Sequence, residues 1–182
     1  MTNPPAVADI LGRIKRPEKT VSLCLAGDLQ AELEDLERAL AAARERPSGG
    51  TLAESATPEA RQIAQQIQDL QARMREHVTV FRFRGLSSKG YSDLVAQHPP
   101  TAEDKEEASD VNWKTFAPGL VAACAVSPPM TVEEAGQLAD ALTQAQWDAL
   151  VVAAYSTCKR DVDIPFSYAA SAVLQASAKN SK

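Results

Sequence analysis

The chain has 182 residues, 45% of them apolar, and a formal net charge of −5, which suits one ordinary domain with a real core and argues against nucleic acid as the main partner. Its three cysteines, Cys24, Cys124 and Cys158, are odd in number and form no CxxC pair, so they read as reduced thiols of a cytoplasmic protein and not as a disulfide framework. No apolar run approaches the roughly 18 residues of a membrane span, and MTNPPAVADILGRIKRPEK lacks the apolar stretch of a secretory signal; the expected location is the cytoplasm, with no membrane partner.

Residues 1–20 read as a loosely ordered N-terminal arm with a short helix around Val7 to Ile14, because Asn3-Pro4-Pro5 leads into alternating short apolar and basic pieces. Val21 to Leu25 looks like a strand. Gly27-Asp28 then opens a helix reaching about Arg46, with Asp28 as its N-cap and Leu29, Leu33, Leu36 and Leu40 on one stripe. Pro47-Ser48-Gly49-Gly50 ends it. Thr57-Pro58-Glu59 supplies an N-cap, a first-turn proline and a first-turn acid for a second helix, along which Ile63, Ile67, Leu70 and Met74 repeat the stripe.

The two stripes match in one antiparallel register: Leu29 with Met74, Leu33 with Leu70, Leu36 with Ile67, and Leu40 with Ile63. The same stripes would also suit pairing between chains, a dimer through a four-helix contact, but the constant register and short loop favour a hairpin within one chain. Continuing the register sets Val21 to Leu25 against Val78 to Arg82 in the alternating segment VTVFRFR. The spacing therefore predicts a two-stranded antiparallel ribbon, residues 21–84, carrying a long inserted helical hairpin. Such a ribbon is marginal alone and needs helices on one face.

From Gly85 the chain reads as helices only, a bundle over residues 85–176: about Ser88 to Gln97, Trp113 to Cys124, Val132 to Ala141, Gln144 to Cys158, and Phe166 to Ala176. Pro99-Pro100 and Pro128-Pro129 punctuate them, Pro165 opens the last, and Thr131 with Glu134 and Thr143 with Gln146 have capping-box spacing. His98 to Asp110, rich in proline and acid, reads as a mobile loop, and Ser177 to Lys182 as a polar tail. The fold class expected is mostly α, with a small β component.

Nothing in the sequence singles out a catalytic, cofactor-binding or metal-ligating residue, and the expectation is a non-enzyme with no cofactor. Ser156-Thr157-Cys158-Lys159 matches SxxK, yet it falls at a helix end and lacks the companion motifs SDN and KTG. His77 and His98, both expected to be exposed, have no histidine or carboxylate at ligand spacing. Glu133-Glu134 suits a helix start and Asp161-Val162-Asp163 a turn before Pro165. Arg73, Arg75, Arg82, Arg84 and Lys89 gather near the hairpin base, but alternation puts Phe81 and Phe83 on the opposite strand face from Arg82 and Arg84, as core and not as a stacking platform. Trp113, Phe116, Trp147, Tyr155, Phe166 and Tyr168 read mainly as core, with one or two left to rim an apolar groove for a partner helix. Which ones, and so the partner-binding residues, the sequence leaves open.

VTVFRFRGLSSKGYSDLVAQHPP, NWKTFAPGLVAACAV and LTQAQWDALVVAAYSTCKRDVDIPFSYAAS together resemble tail assembly chaperones of long-tailed phages and prophages of actinobacteria. The shared features are a strand entering a short helix that ends in His-Pro-Pro, an acidic linker, and a Leu-Thr-x-x-Gln-Trp-x-x-Leu helix followed by a polar turn and Pro-Phe-Ser. The resemblance covers roughly residues 20–175. It implies a factor that binds the long, apolar, helical tape measure protein, keeps it soluble and helps the tail tube protein polymerise around it. The rival reading is a structural head-tail connector or tail-completion protein retained in the virion.

Overall fold

The structure is a computed structural model that describes residues 6–45 and 57–160. The expected helix over Phe166 to Ala176, the polar tail, the Asp161 and Asp163 turn and the Pro47 to Gly50 break lie outside the described residues. Within them the chain is mostly helical with one small antiparallel sheet. In order come α1 (Val7–Arg13), β1 (Glu18–Cys24), α2 (Asp28–Glu45), α3 (Pro58–Glu76), β2 (Val78–Arg84), α4 (Ser88–Gln97), α5 (Ala102–Glu106), α6 (Trp113–Cys124), β3 (Ala125–Ser127), α7 (Val132–Ala141) and α8 (Gln144–Lys159).

Local chemistry explains most of these boundaries. Thr57 caps α3 by accepting the Ala60 N–H at 3.1 Å, and Pro58 stands in the first turn, where its missing N–H costs nothing. Thr131 with Glu134 and Thr143 with Gln146 form reciprocal capping boxes on α7 and α8. Asp28 differs from expectation: it is the first helical residue of α2, placing its carboxylate in the first turn instead of at the cap.

β1 and β2 pair antiparallel with Glu18 against Arg84, Val21 against Phe81 and Cys24 against Val78. This is one residue away from the register the helix stripes imply, and β1 starts three residues before Val21. The physical reason is the pleat. Directly paired residues share a face, so the observed register puts Val21 and Leu23 on the face of Phe81 and Phe83, whereas a one-residue slip would set them beside Val80 and Arg82. The sheet is also three-stranded, not a two-stranded ribbon, because Ala125–Ser127 adds to the free edge of β2. For the same reason the chain after Gly85 is not helices only.

α2 packs along α3, and neither has a comparable packing partner among the other elements. Leu29, Leu33, Leu36 and Leu40 are half-buried while Ile67 and Leu70 are buried, as a seam between two helices requires. At about 1.5 Å per residue each arm is roughly 27 Å long. Arg73 reaches Glu32 across the seam at 3.3 Å.

The main core lies elsewhere, where the inner sheet face meets α6 and α8. Leu23, Phe81, Phe83, Phe116, Leu120, Leu150 and Ala154 are buried there. Phe81 and Phe83 point inward and Arg82 and Arg84 outward, as the alternation predicts. The junction from β2 to α4 runs so close to α8 that a Cβ on Gly85 would overlap the Thr157 carbonyl oxygen and lie 2.9 Å from its carbonyl carbon. Only glycine fits.

Candidate partner-binding groove

Residues 98–110, expected as a mobile loop, contain α5 and a fixed connector. Thr101 and Asp104 cap α5 reciprocally, and the Thr101 hydroxyl, donating to Asp104 at 2.6 Å, together with the Thr101 N–H at 2.8 Å, holds that carboxyl below its ordinary pKa. Ala108 then turns through a left-handed φ of 57°, which costs a non-glycine residue about 1–2 kcal/mol. Hydrogen bonds hold the turn: the Ser109 N–H donates to the Asp104 carbonyl at 2.8 Å, and the Ser109 hydroxyl to the Val111 carbonyl at 2.7 Å. The Asn112 N–H donates to the His98 carbonyl at 3.1 Å, tying the connector's far end to α4.

This connector forms one lip of a groove of about 710 Å³. Tyr91 and Val95 of α4, Trp113 of α6, and Tyr155 and Lys159 of α8 line its floor and far wall, while Glu107 and Asp110 stand on the lip. Phe116, fully buried, lies beneath. Its ring makes edge contacts with Trp113 at 5.2 Å, His98 at 5.9 Å and Tyr91 at 6.1 Å between centroids, and Trp113 leans on Tyr155 at 6.0 Å. Lys159 sits 4.9 Å above the Tyr91 ring, a cation–π contact. The groove thus has an aromatic floor, an acidic lip and a single lysine at its end.

Burial, with help from Tyr155, pushes the Tyr91 hydroxyl up to about 12 from an ordinary value of 10.0. Because the folded value exceeds the unfolded one, the unfolded state loses its proton first as pH rises, so stability is kept below pH 10 and falls between about pH 10 and 12. A phenolate absorbance titration should show a tyrosine ionising near 12, and Tyr155→Phe should lower that value toward 10.0. A Tyr91 that titrates near 10.0 would contradict this packing.

The other residues weighed in the sequence take structural places. Ser156 is buried in the last turn of α8, where its hydroxyl donates to the Ala153 carbonyl at 2.9 Å, and Lys19 approaches it at 3.4 Å. His77 is exposed, but His98 is half-buried, with Nδ1 3.0 Å from the Thr115 hydroxyl and Nε2 so near Gly119 that a Cβ there would lie 3.0 Å away. Glu134 belongs to its capping box, which holds its carboxyl low, and Glu133 stands beside it in the first turn. Among the basic residues weighed as a cluster, Arg73 pairs with Glu32, Arg84 with Glu18 at 2.7 Å and Lys89 with Asp93 at 2.6 Å. Among the described residues no three of His, Cys, Asp and Glu gather as a metal site would require.

Two features escaped the sequence reading. Tyr91 was not among the aromatics considered, and only its 3.6-residue position on α4 relative to Leu94 and Val95 hints that it faces the core side. The thiols of Cys124 and Cys158, 34 positions apart, lie 3.6 Å from each other. Cys124 is buried and its hydrogen bond to Cys158, with burial, pushes its thiol up, while that same bond holds the half-buried Cys158 below the usual thiol range. Cys24 is half-buried on the outer sheet face.

Comparison with protein-family models, with curated proteins and with solved structures finds no match to this chain. No helix among the described residues is long and apolar enough to cross a membrane.

Proposed function

We propose that this protein is a phage tail assembly chaperone that binds the tape measure protein and assists tail-tube assembly. The observation that supports this most is where the resembling segments meet. Residues 78–100 contribute Tyr91 and Val95, residues 112–126 contribute Trp113, and residues 142–171 contribute Tyr155 and Lys159, all to one groove. A long apolar helix presents side chains at i, i+3, i+4 and i+7, and an aromatic groove of this kind is a standard seat for them. The acidic lip favours client segments whose apolar stripe is flanked by lysine or arginine. The hairpin of α2 and α3 offers a second elongated surface to such a client.

The test is co-expression with the tape measure protein of the same phage, with a solubility comparison and an affinity pull-down. The tape measure should become soluble and co-purify, and Trp113→Ala together with Tyr155→Ala should reduce the retained client about tenfold or more, the usual scale for aromatic anchors at an interface centre. A tape measure that remains insoluble and unbound in the presence of this chain refutes the chaperone reading. Recovery of the chain in purified virions would support the structural-component reading in its place.

A further inference from the structure

Helix α1 and the groove are each incomplete, and their chemistries are complementary. Val7, Ile10 and Leu11, followed by Ile14 just past the helix end, fall at i, i+3, i+4 and i+7, one face of a helix. That face is open to solvent: the four residues are 71%, 46%, 64% and 63% exposed. Single exposed leucines are ordinary, but three large apolar residues on a seven-residue helix, with a fourth just past its end, form a patch. So short a helix is also marginal in water without a surface to pack on. Arg13, Lys15 and Arg16, all exposed, make the C-terminal end of the stripe basic.

The groove presents the counterpart, with Tyr91, Trp113 and Tyr155 as an apolar floor and Glu107 and Asp110 as an acidic lip. Trp113 remains 43% exposed. The groove has a volume of about 710 Å³. The arm does not cover its own groove. The Gly85 N–H donates to the Pro17 carbonyl at 2.9 Å, so residues 14–16 alone join α1 to a fixed point, and its stripe faces solvent.

We propose that the groove of one copy receives α1 of a second copy. Ile10 and Leu11 seat against Trp113 and Tyr155, and Arg13 and Arg16 meet Glu107 and Asp110. Lys159 keeps its charge over the Tyr91 ring and disfavours arginine at its own end of the groove, which leaves the acidic lip as the place for Arg13 and Arg16. The chain then self-associates through its N-terminal arms, each occupying the aromatic groove of another copy when no client helix is in it. Self-association is measured with this chain alone, so it stands or falls independently of the client reading. An anionic membrane is the other surface that suits a basic amphipathic helix. The second copy is favoured because the same chain carries a groove that complements both the stripe and its basic end.

Sedimentation velocity of the full chain over a dilution series is the test. The wild type should show a concentration-dependent dimer or larger species, and Leu11→Asp should raise the apparent dissociation constant about tenfold or more with an unchanged far-ultraviolet spectrum, because Leu11 touches no core. Arg13→Glu with Arg16→Glu, and separately Glu107→Lys with Asp110→Lys, should each weaken association, and mixing the two reversed proteins should restore it. A wild type that is monomeric throughout, or a Leu11→Asp variant that associates as before, overturns the proposal. So does a monomer whose Trp113 emission responds to Leu11→Asp without dilution dependence, which would mean docking in its own groove. Leu11-dependent retention on phosphatidylcholine–phosphatidylserine vesicles, with association unaffected by the charge reversals, would assign the stripe to a membrane instead.

Discussion

Replacing Phe116 by alanine is expected to destabilise the protein by about 3–5 kcal/mol, the usual cost of deleting a buried phenylalanine ring. Phe116 is 0% exposed and sits where three aromatic rings meet, with Tyr91, His98 and Trp113 each turned edge-on to it. Two losses combine at this position. The side chain's burial is forfeited, and each edge contact contributes about 0.5–1.5 kcal/mol beyond area. The cavity would open directly beneath the groove, so Tyr91 and Trp113 would lose their support, and Trp113 emission should change along with the urea midpoint. Phe116→Leu keeps much of the volume and should cost roughly half as much. A Phe116→Ala protein within about 1 kcal/mol of wild type would show that this cluster is not part of the cooperative core.

Gly85→Ala is expected to cost about 1–3 kcal/mol or more, the range for forcing atoms into a filled site, read again from a denaturant midpoint. The added methyl would meet the Thr157 carbonyl, which is α8 backbone and not the far end of a flexible side chain. Relief would require moving α8, whose Leu150, Ala153 and Ala154 are buried in the core, or breaking the bond from the Gly85 N–H to Pro17. Gly136→Ala is the matched control. Gly136 lies within α7 and a Cβ there meets nothing within 4 Å, so the substitution should stabilise by about 0.5–1 kcal/mol through helix propensity. If the two alanines behave alike, the close approach of β2 to α8 is wrong.

Both substitutions act where chain segments distant in sequence come together, and that is also where sequence reasoning stopped. Features written within about four residues of one another are legible along the chain. Thr57 and Pro58, the two Thr-led capping boxes, and the prolines between helices mark α3, α4, α6, α7 and α8 because a cap or a missing N–H acts on its own turn. The stripes of Leu29 to Leu40 and Ile63 to Met74 likewise bring α2 and α3 together, since any two matching stripes joined by a short loop bury each other. The alternation in VTVFRFR sufficed to send Phe81 and Phe83 inward.

Tertiary structure decided the rest. β3 has three residues, too few for any periodic signal, and exists because β2 offers a free edge where α6 ends. The strand register was set by which faces of β1 and β2 meet the core, which is why it differs by one residue from the register that the helix stripes imply. Tyr91, Trp113 and Tyr155 lie on three helices whose relative placement no local pattern encodes, and Cys124 met Cys158 for the same reason. Caps and stripes are local free energies and can be read in order along the chain. A groove is a statement about distances between elements, and those are fixed only when Phe116 and the sheet pack the helices against one another.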